Sequence, residues 1–154
     1  HADVFGPPRD LGEHAMAELV WDKKYMAGGG LDGAWGTAHE PIWFYAHRYK
    51  SEPRAGELTA RLRQGSVIRE AAIRGSAKRN HPNAKPVRLW QRLIESSSLV
   101  GDFVVDPFTG GGSSAVACLM GSRQGIFAEN DAKYAHRAAE WVDRVADALD
   151  GAGL

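Results

Sequence analysis

Residues 101–130 constrain the fold more than any other stretch of this chain. Phe103, Val104 and Val105 form a short apolar, β-prone run that reads as a buried strand. Asp106 and Pro107 end it. Gly110, Gly111 and Gly112 then make a turn in which backbone can come close to a ligand. Ser113 and Ser114 are placed to cap a helix running through Leu119. A second strand is expected over residues 126–128 and leads straight into the acid Glu129. The order strand, glycine turn, helix, strand, acid is that of a parallel α/β unit. The acid lies roughly 20 residues beyond the turn, where a carboxylate can accept hydrogen bonds from ribose hydroxyls.

The turn does not read as a phosphate cradle. It lacks a Gly-Lys-Ser/Thr ending and the strict Gly-x-Gly-x-x-Gly spacing, and few cations accompany it. That chemistry suits a nucleoside without phosphates, such as S-adenosylmethionine. A plain tight turn is the alternative, and Glu129 weighs against it.

A chain of 154 residues is sized for one domain with a real core. With 44% apolar and 25% charged residues it is globular rather than disordered. Formal net charge is zero, so any surface for nucleic acid must be local. Cys118 is the only cysteine, which excludes internal disulfides and cysteine metal clusters. No apolar run approaches a membrane span and no signal peptide is visible, so a cytoplasmic setting is expected.

Ahead of the central unit, residues 2–5 read as the end of a strand stopped by Gly6, Pro7 and Pro8, with a short helix allowed over 9–17. Strands are expected at 18–21 and 41–45. Between them lies a glycine-rich loop, 26–37, that makes the pair a hairpin with a long tip. Residues 46–80 carry nine basic side chains against three acidic ones and show no clear periodicity. A solvated surface and a surface for a phosphate backbone fit that composition equally well. Pro86 suits the first turn of a helix, and Val87, Trp90, Leu93 and Ile94 recur at helical spacing. Asp131 can cap a last helix whose apolar face is Tyr134, Ala138, Trp141, Val142 and Val145.

Other chemistries fit poorly. Ser113 and Ser114 lack the nucleophile-elbow spacing. The histidines form no metal pattern, and His39-Glu40 is not followed by a second histidine at the zincin spacing. A metal-free transfer driven by a cofactor is the class that remains.

In order, Leu19-Val20-Trp21-Asp22-Lys23, His39-Glu40-Pro41-Ile42-Trp43-Phe44, His81-Pro82-Asn83-Ala84-Lys85-Pro86, the 101–112 segment and Phe127-Ala128-Glu129 with Tyr134 resemble the amino-group DNA methyltransferases. These enzymes make N6-methyladenine or N4-methylcytosine. The motif order is similar to that of the beta class, in which the target-recognition region precedes the cofactor loop. The resemblance covers residues 2–145. It implies an α/β, Rossmann-like methyltransferase sheet, present only in part in this chain. It implies S-adenosylmethionine as cofactor, with Asp106, Pro107, Phe108, Thr109, Gly110, Gly112 and Ser113 around its pocket and Glu129 on its ribose. His81, Lys85 and Pro86 would sit on the segment closing over its methionine end. It divides the chain into the end of a catalytic region (1–45), a target-recognition insertion (46–80) and a cofactor region (81–154). Double-stranded DNA would be the partner, held by Arg61, Arg63, Arg74 and Lys78.

One family feature is missing. The catalytic Asp/Asn/Ser-Pro-Pro-aromatic motif holds the target amino group and stacks on the extruded base. Gly6-Pro7-Pro8-Arg9 keeps only its two prolines. The strand bearing that motif is expected upstream of His1, or on a complementing N-terminal chain; a homodimer is also compatible. Two rival readings remain open: an inactive module that binds cofactor or DNA, and a small-molecule or RNA methyltransferase with the same loop. The basic stretch and the Trp-Asp-Lys and His-Glu segments argue against the latter.

Overall fold

The computed structural model describes residues 17–25, 35–45, 64–75 and 81–153, which fall into two compact units. The first contains β1 (Ala17–Asp22), β2 (His39–Phe44) and β3 (Val67–Arg69). β1 and β2 pair antiparallel, from Ala17 opposite Phe44 to Asp22 opposite His39. This is the expected hairpin, each strand slightly longer than its apolar run. Most of the intervening glycine-rich loop lies outside the described residues. Pro41 is tolerated because β2 is an edge strand and needs no donor on its outer side.

β3 was not legible in the basic 46–80 stretch. It adds parallel to the other edge of β1, placing Ile68 beside Trp21 and Arg69 beside Asp22. Trp21 and Ile68, 2% and 3% exposed, are the buried centre of this sheet. Val67 and Arg69 face outward, so a three-residue strand with one buried side chain offers no period to detect. Charges pair at the end of the sheet. Arg69 Nε lies 3.7 Å from Asp22 Oδ2, and Lys23 Nζ lies 3.5 Å from Glu40 Oε1. Asp22 Oδ1 also accepts the Lys24 N–H at 2.9 Å, a local turn that stops β1.

The second unit contains α1 (Val87–Ser97), β4 (Phe103–Asp106), α2 (Ser113–Met120), β5 (Gln124–Phe127) and α3 (Ala132–Gly151). β4 and β5 are parallel, with Val105 opposite Ile126 and Asp106 opposite Phe127. This is the strand–turn–helix–strand unit read from residues 101–130. β5 begins and ends earlier than expected, because Gln124 and Gly125 enter the ladder and Ala128 already belongs to the turn.

α1 opens after Pro86 and buries Leu89 and Ile94, each worth about 1.5–3 kcal/mol on transfer from water. It stops at three serines. The hydroxyls of Ser96, Ser97 and Ser98 donate to the carbonyls of Arg92, Leu93 and Ile94 at 2.7, 2.6 and 2.7 Å. Ile94 packs with Ala117 and Cys118, and Val87, Trp90, Val104 and Phe127 close around them. α2 is buried from Ser113 through Cys118, as expected of a short helix apolar on all sides. The anticipated serine cap does not form. Gly112, at φ 87°, is the N-cap, and neither serine makes a capping bond. α3 does begin as read, with Asp131 Oδ1 accepting from the backbone N–H groups of Lys133 and Tyr134. No helix among the described residues is long and apolar enough to cross a membrane.

Candidate cofactor site

The carboxyl ends of parallel β4 and β5 point the same way, so the turns that follow them lie side by side. Ala128 N–H donates to the Asp106 carbonyl at 2.9 Å, and Thr109 N–H donates to the Ala128 carbonyl at 2.9 Å. These two bonds lock the glycine turn against the segment bearing Glu129. In open α/β sheets, ligands bind outside this end of the strands.

The turn is built on Asp106. Its Oδ1 accepts the Phe108 N–H at 2.9 Å and its Oδ2 the Ser114 hydroxyl at 2.5 Å. Thr109 Oγ1 lies 2.8 Å from Ser114 Oγ. Backbone conformation favours glycine at both Gly110 and Gly112, and packing requires it at Gly112. A side chain at Gly110, φ 56°, would meet the His81 ring at 3.4 Å, and one at Gly112 would meet Ala138 of α3 at 2.9 Å. His81 in turn packs edge-on against Tyr134, ring centroids 4.5 Å apart. Its Nδ1 accepts the Asn83 N–H at 3.1 Å, which leaves the proton of the neutral ring on Nε2. The fold thus joins three segments distant in sequence, at His81, Gly110 and Tyr134.

Beside this turn is a cleft of about 440 Å³ lined by Thr109, Glu129, Phe127, Arg123 and the α3 residues Ala135 and Val142, among others. Its polar groups are mostly acceptors. Glu129 Oε1 takes the Asp131 N–H at 3.0 Å and leaves its second oxygen for a ligand. Arg123 is the cation on the wall, but all three of its nitrogens are engaged. Nε donates to Ser98 Oγ at 3.3 Å, Nη2 to the Ser98 carbonyl at 3.0 Å and Nη1 to the Gly121 carbonyl at 2.5 Å. The guanidinium fastens the α2–β5 turn to the end of α1. Cys118 also reaches the cleft. Burial pushes its thiol up in pKa against the opposing pull of Arg123, and its Sγ donates to the Gln124 carbonyl at 3.3 Å.

The residues singled out in the sequence separate here. Thr109 and Glu129 line the cleft together. Asp106 lies beneath the turn as its anchor. Phe108 is 86% exposed at the turn's tip, and Pro107 is exposed beside it. Ser113 is buried at the start of α2. Lys85 and Pro86 are half-buried ahead of α1. Arg74 is exposed, while Arg61, Arg63 and Lys78 lie outside the described residues. Two contributors escaped the sequence reading. Ser114 and Arg123 act through partners eight and 25 positions away, and no local pattern signals such pairs.

Residues 14–140 match the family model N6_N4_Mtase, DNA methylase. Type II methyltransferase M.HpaI of Haemophilus parainfluenzae is 36% identical over 73 residues, which is 47% of this chain and 23% of that protein. The solved structure of TTHA0409 from Thermus thermophilus, complexed with S-adenosyl-L-methionine, superposes with a TM-score of 0.61 at 23% identity. That match covers 89% of this chain and 56% of the other. The PvuII DNA methyltransferase (cytosine-N4-specific) gives a TM-score of 0.68 at 15% identity, covering 90% and 58%. At such identities these structures establish a shared fold, the Rossmann-like methyltransferase fold, and this chain spans a little over half the length of each.

Proposed function

The chain belongs to the N6/N4 DNA methylase family, and on that premise we propose that it binds S-adenosylmethionine and serves methyl transfer to an exocyclic amino group of double-stranded DNA, N6 of adenine or N4 of cytosine. The observation that carries this reading is the composition of the cleft. Two acceptors, Glu129 and Thr109, stand at the carboxyl ends of parallel strands and line one cleft. A ribose diol offers donors to such a wall. The apolar surfaces of Phe127, Ala135 and Val142 suit the flat face of a nucleoside base.

Bound there, the cofactor supplies an electrophilic sulfonium methyl group. The residues of this chain hold and orient it. Glu129 would accept from the ribose hydroxyls and the turn at 108–112 would lie against the cofactor, with His81 packed beside that turn. Glu129→Ala should remove a charge-assisted pair of hydrogen bonds, about 1.5–3 kcal/mol, so titration calorimetry should show about a tenfold or greater loss of S-adenosylmethionine affinity. Unchanged affinity in a variant with the parent circular dichroism spectrum would reject the site.

The basic segment 46–80 is the proposed DNA surface. Neutralising Arg61, Arg63, Arg74 and Lys78 together should weaken duplex binding. It should also lower the slope of log affinity against log salt by about 0.9 for each phosphate left without its cation. A quadruple variant with the parent slope would instead mark the segment as a solvated surface.

A second reading, a module that binds cofactor or DNA without catalysis, is favoured by the absence of the Asp/Asn/Ser-Pro-Pro-aromatic motif from these 154 residues. The two readings share the cofactor site and part company at turnover.

A further inference from the structure

We propose that Ser114, a residue outside the cleft, is a positioning residue that makes Thr109 an acceptor-only group toward the ligand. The inference rests on the cofactor reading above and follows from counting protons. An ionised carboxylate can only accept, so at 2.5 Å from Asp106 Oδ2 the single hydroxyl proton of Ser114 belongs to that bond. Thr109 Oγ1 is 2.8 Å from the same Ser114 oxygen, which now has only lone pairs to offer. Thr109 must therefore donate to Ser114. Its one proton is spent inward, so toward any ligand that reaches it the oxygen offers lone pairs alone. Asp106 cannot rotate to release the relay, because its other oxygen holds the Phe108 N–H at 2.9 Å.

Burial makes this arrangement stable. Ser114 is 1% exposed at the start of α2, where water cannot compete for its hydroxyl. Thr109 is half-buried and lines the cleft with Glu129. The consequence is selectivity for a hydrogen-bond donor, an ammonium or a hydroxyl, at the point facing Thr109. A ligand presenting a carbonyl or phosphate oxygen there would meet an acceptor. Ser114 touches no ligand and works through Thr109.

The test is S-adenosylmethionine binding by titration calorimetry on the unmutated protein, Thr109→Val, Thr109→Ser, Ser114→Ala and the Thr109→Val/Ser114→Ala double variant, with melting temperatures for each. Thr109→Val removes the acceptor at nearly constant shape and should weaken binding about tenfold, the scale of one buried hydrogen bond. Thr109→Ser keeps the relay and should bind like the parent. Ser114→Ala frees the Thr109 proton but leaves its lone pairs, so it should weaken binding measurably yet less than Thr109→Val, and the double variant should bind like Thr109→Val, because both changes act through one group. A serine that served only to support the helix would lower the melting temperature without this coupling. If Ser114→Ala does not fold, the contrast between Thr109→Val and Thr109→Ser decides alone. Parent-like affinity of Thr109→Val, or losses that multiply in the double variant, would overturn the inference while leaving the cofactor site standing. No binding by the unmutated protein would overturn both.

Discussion

Purified as these 154 residues alone, the chain is expected to transfer tritiated methyl groups to mixed-sequence DNA at a rate roughly three or more orders of magnitude below that of a family member carrying the full catalytic motif. The proposed cofactor side comprises the Asp106-anchored turn, the Thr109–Glu129 cleft wall and His81 beside Gly110. What the sequence lacks is a side-chain acceptor followed by two prolines and an aromatic ring. Methyl transfer from a sulfonium needs the attacking nitrogen in line with the breaking carbon–sulfur bond, and most of the rate comes from that alignment. An extruded base with neither acceptor nor stacking partner has no fixed place relative to the methyl group. Gly6 has no side chain to accept a bond, and Arg9 is not aromatic. Supplying the motif on a second polypeptide should restore turnover. Robust turnover by the chain alone, abolished by substitution at Gly6 or Pro7, would show that the shortened motif suffices and would overturn this expectation.

Gly112→Val should cost the second unit most of its stability. Gly112 sits at φ 87°, a region that is strained for any residue with a Cβ and worst for a branched one. A Cβ there would also lie 2.9 Å from Ala138 Cβ and 3.1 Å from Ala138 Cα. Ala138 is buried on α3 and part of the contact is backbone, so relief requires the whole helix to move. Backbone strain of about 1–3 kcal/mol and overpacking of about 1–3 kcal/mol add up to a large part of a typical stability of roughly 5–15 kcal/mol. The melting temperature should fall by roughly 10–20 °C on the scale of small domains. Gly101→Val is the internal control. Gly101 has a similar φ of 83° but open space around its missing side chain, so only the backbone part of the penalty applies. Equal melting of the two variants would show that α3 does not press on the turn as described.

The central unit was legible because it is local. Strand, turn, helix and strand occupy consecutive residues, and each is announced by side chains near its own ends. Asp131 capped α3 as read because a cap is a contact between neighbours in sequence. The helix after Pro86 followed from its apolar spacing. Ser113 and Ser114 were misread for the same reason: their position invites a capping role, and nothing nearby reveals that Asp106 claims the Ser114 hydroxyl. β3 escaped because a strand pairing across more than 40 residues, with one buried side chain, leaves no local trace.

From the sequence alone came the parallel α/β unit, the acid after its second strand and the family to which these belong. These follow from residue type, period and spacing, which act over a few positions. Only the tertiary structure decided what the unit's polar groups face. It tied Arg123 to the end of α1 and to its own turn by giving its three nitrogens the Ser98 and Gly121 oxygens. It set Gly112 against Ala138, where a Cβ has no room. It linked Thr109 through Ser114 to Asp106. Each depends on which distant group fills a hydrogen bond or a space, and that is set by how helices and strands pack, not by the residues beside it in the chain.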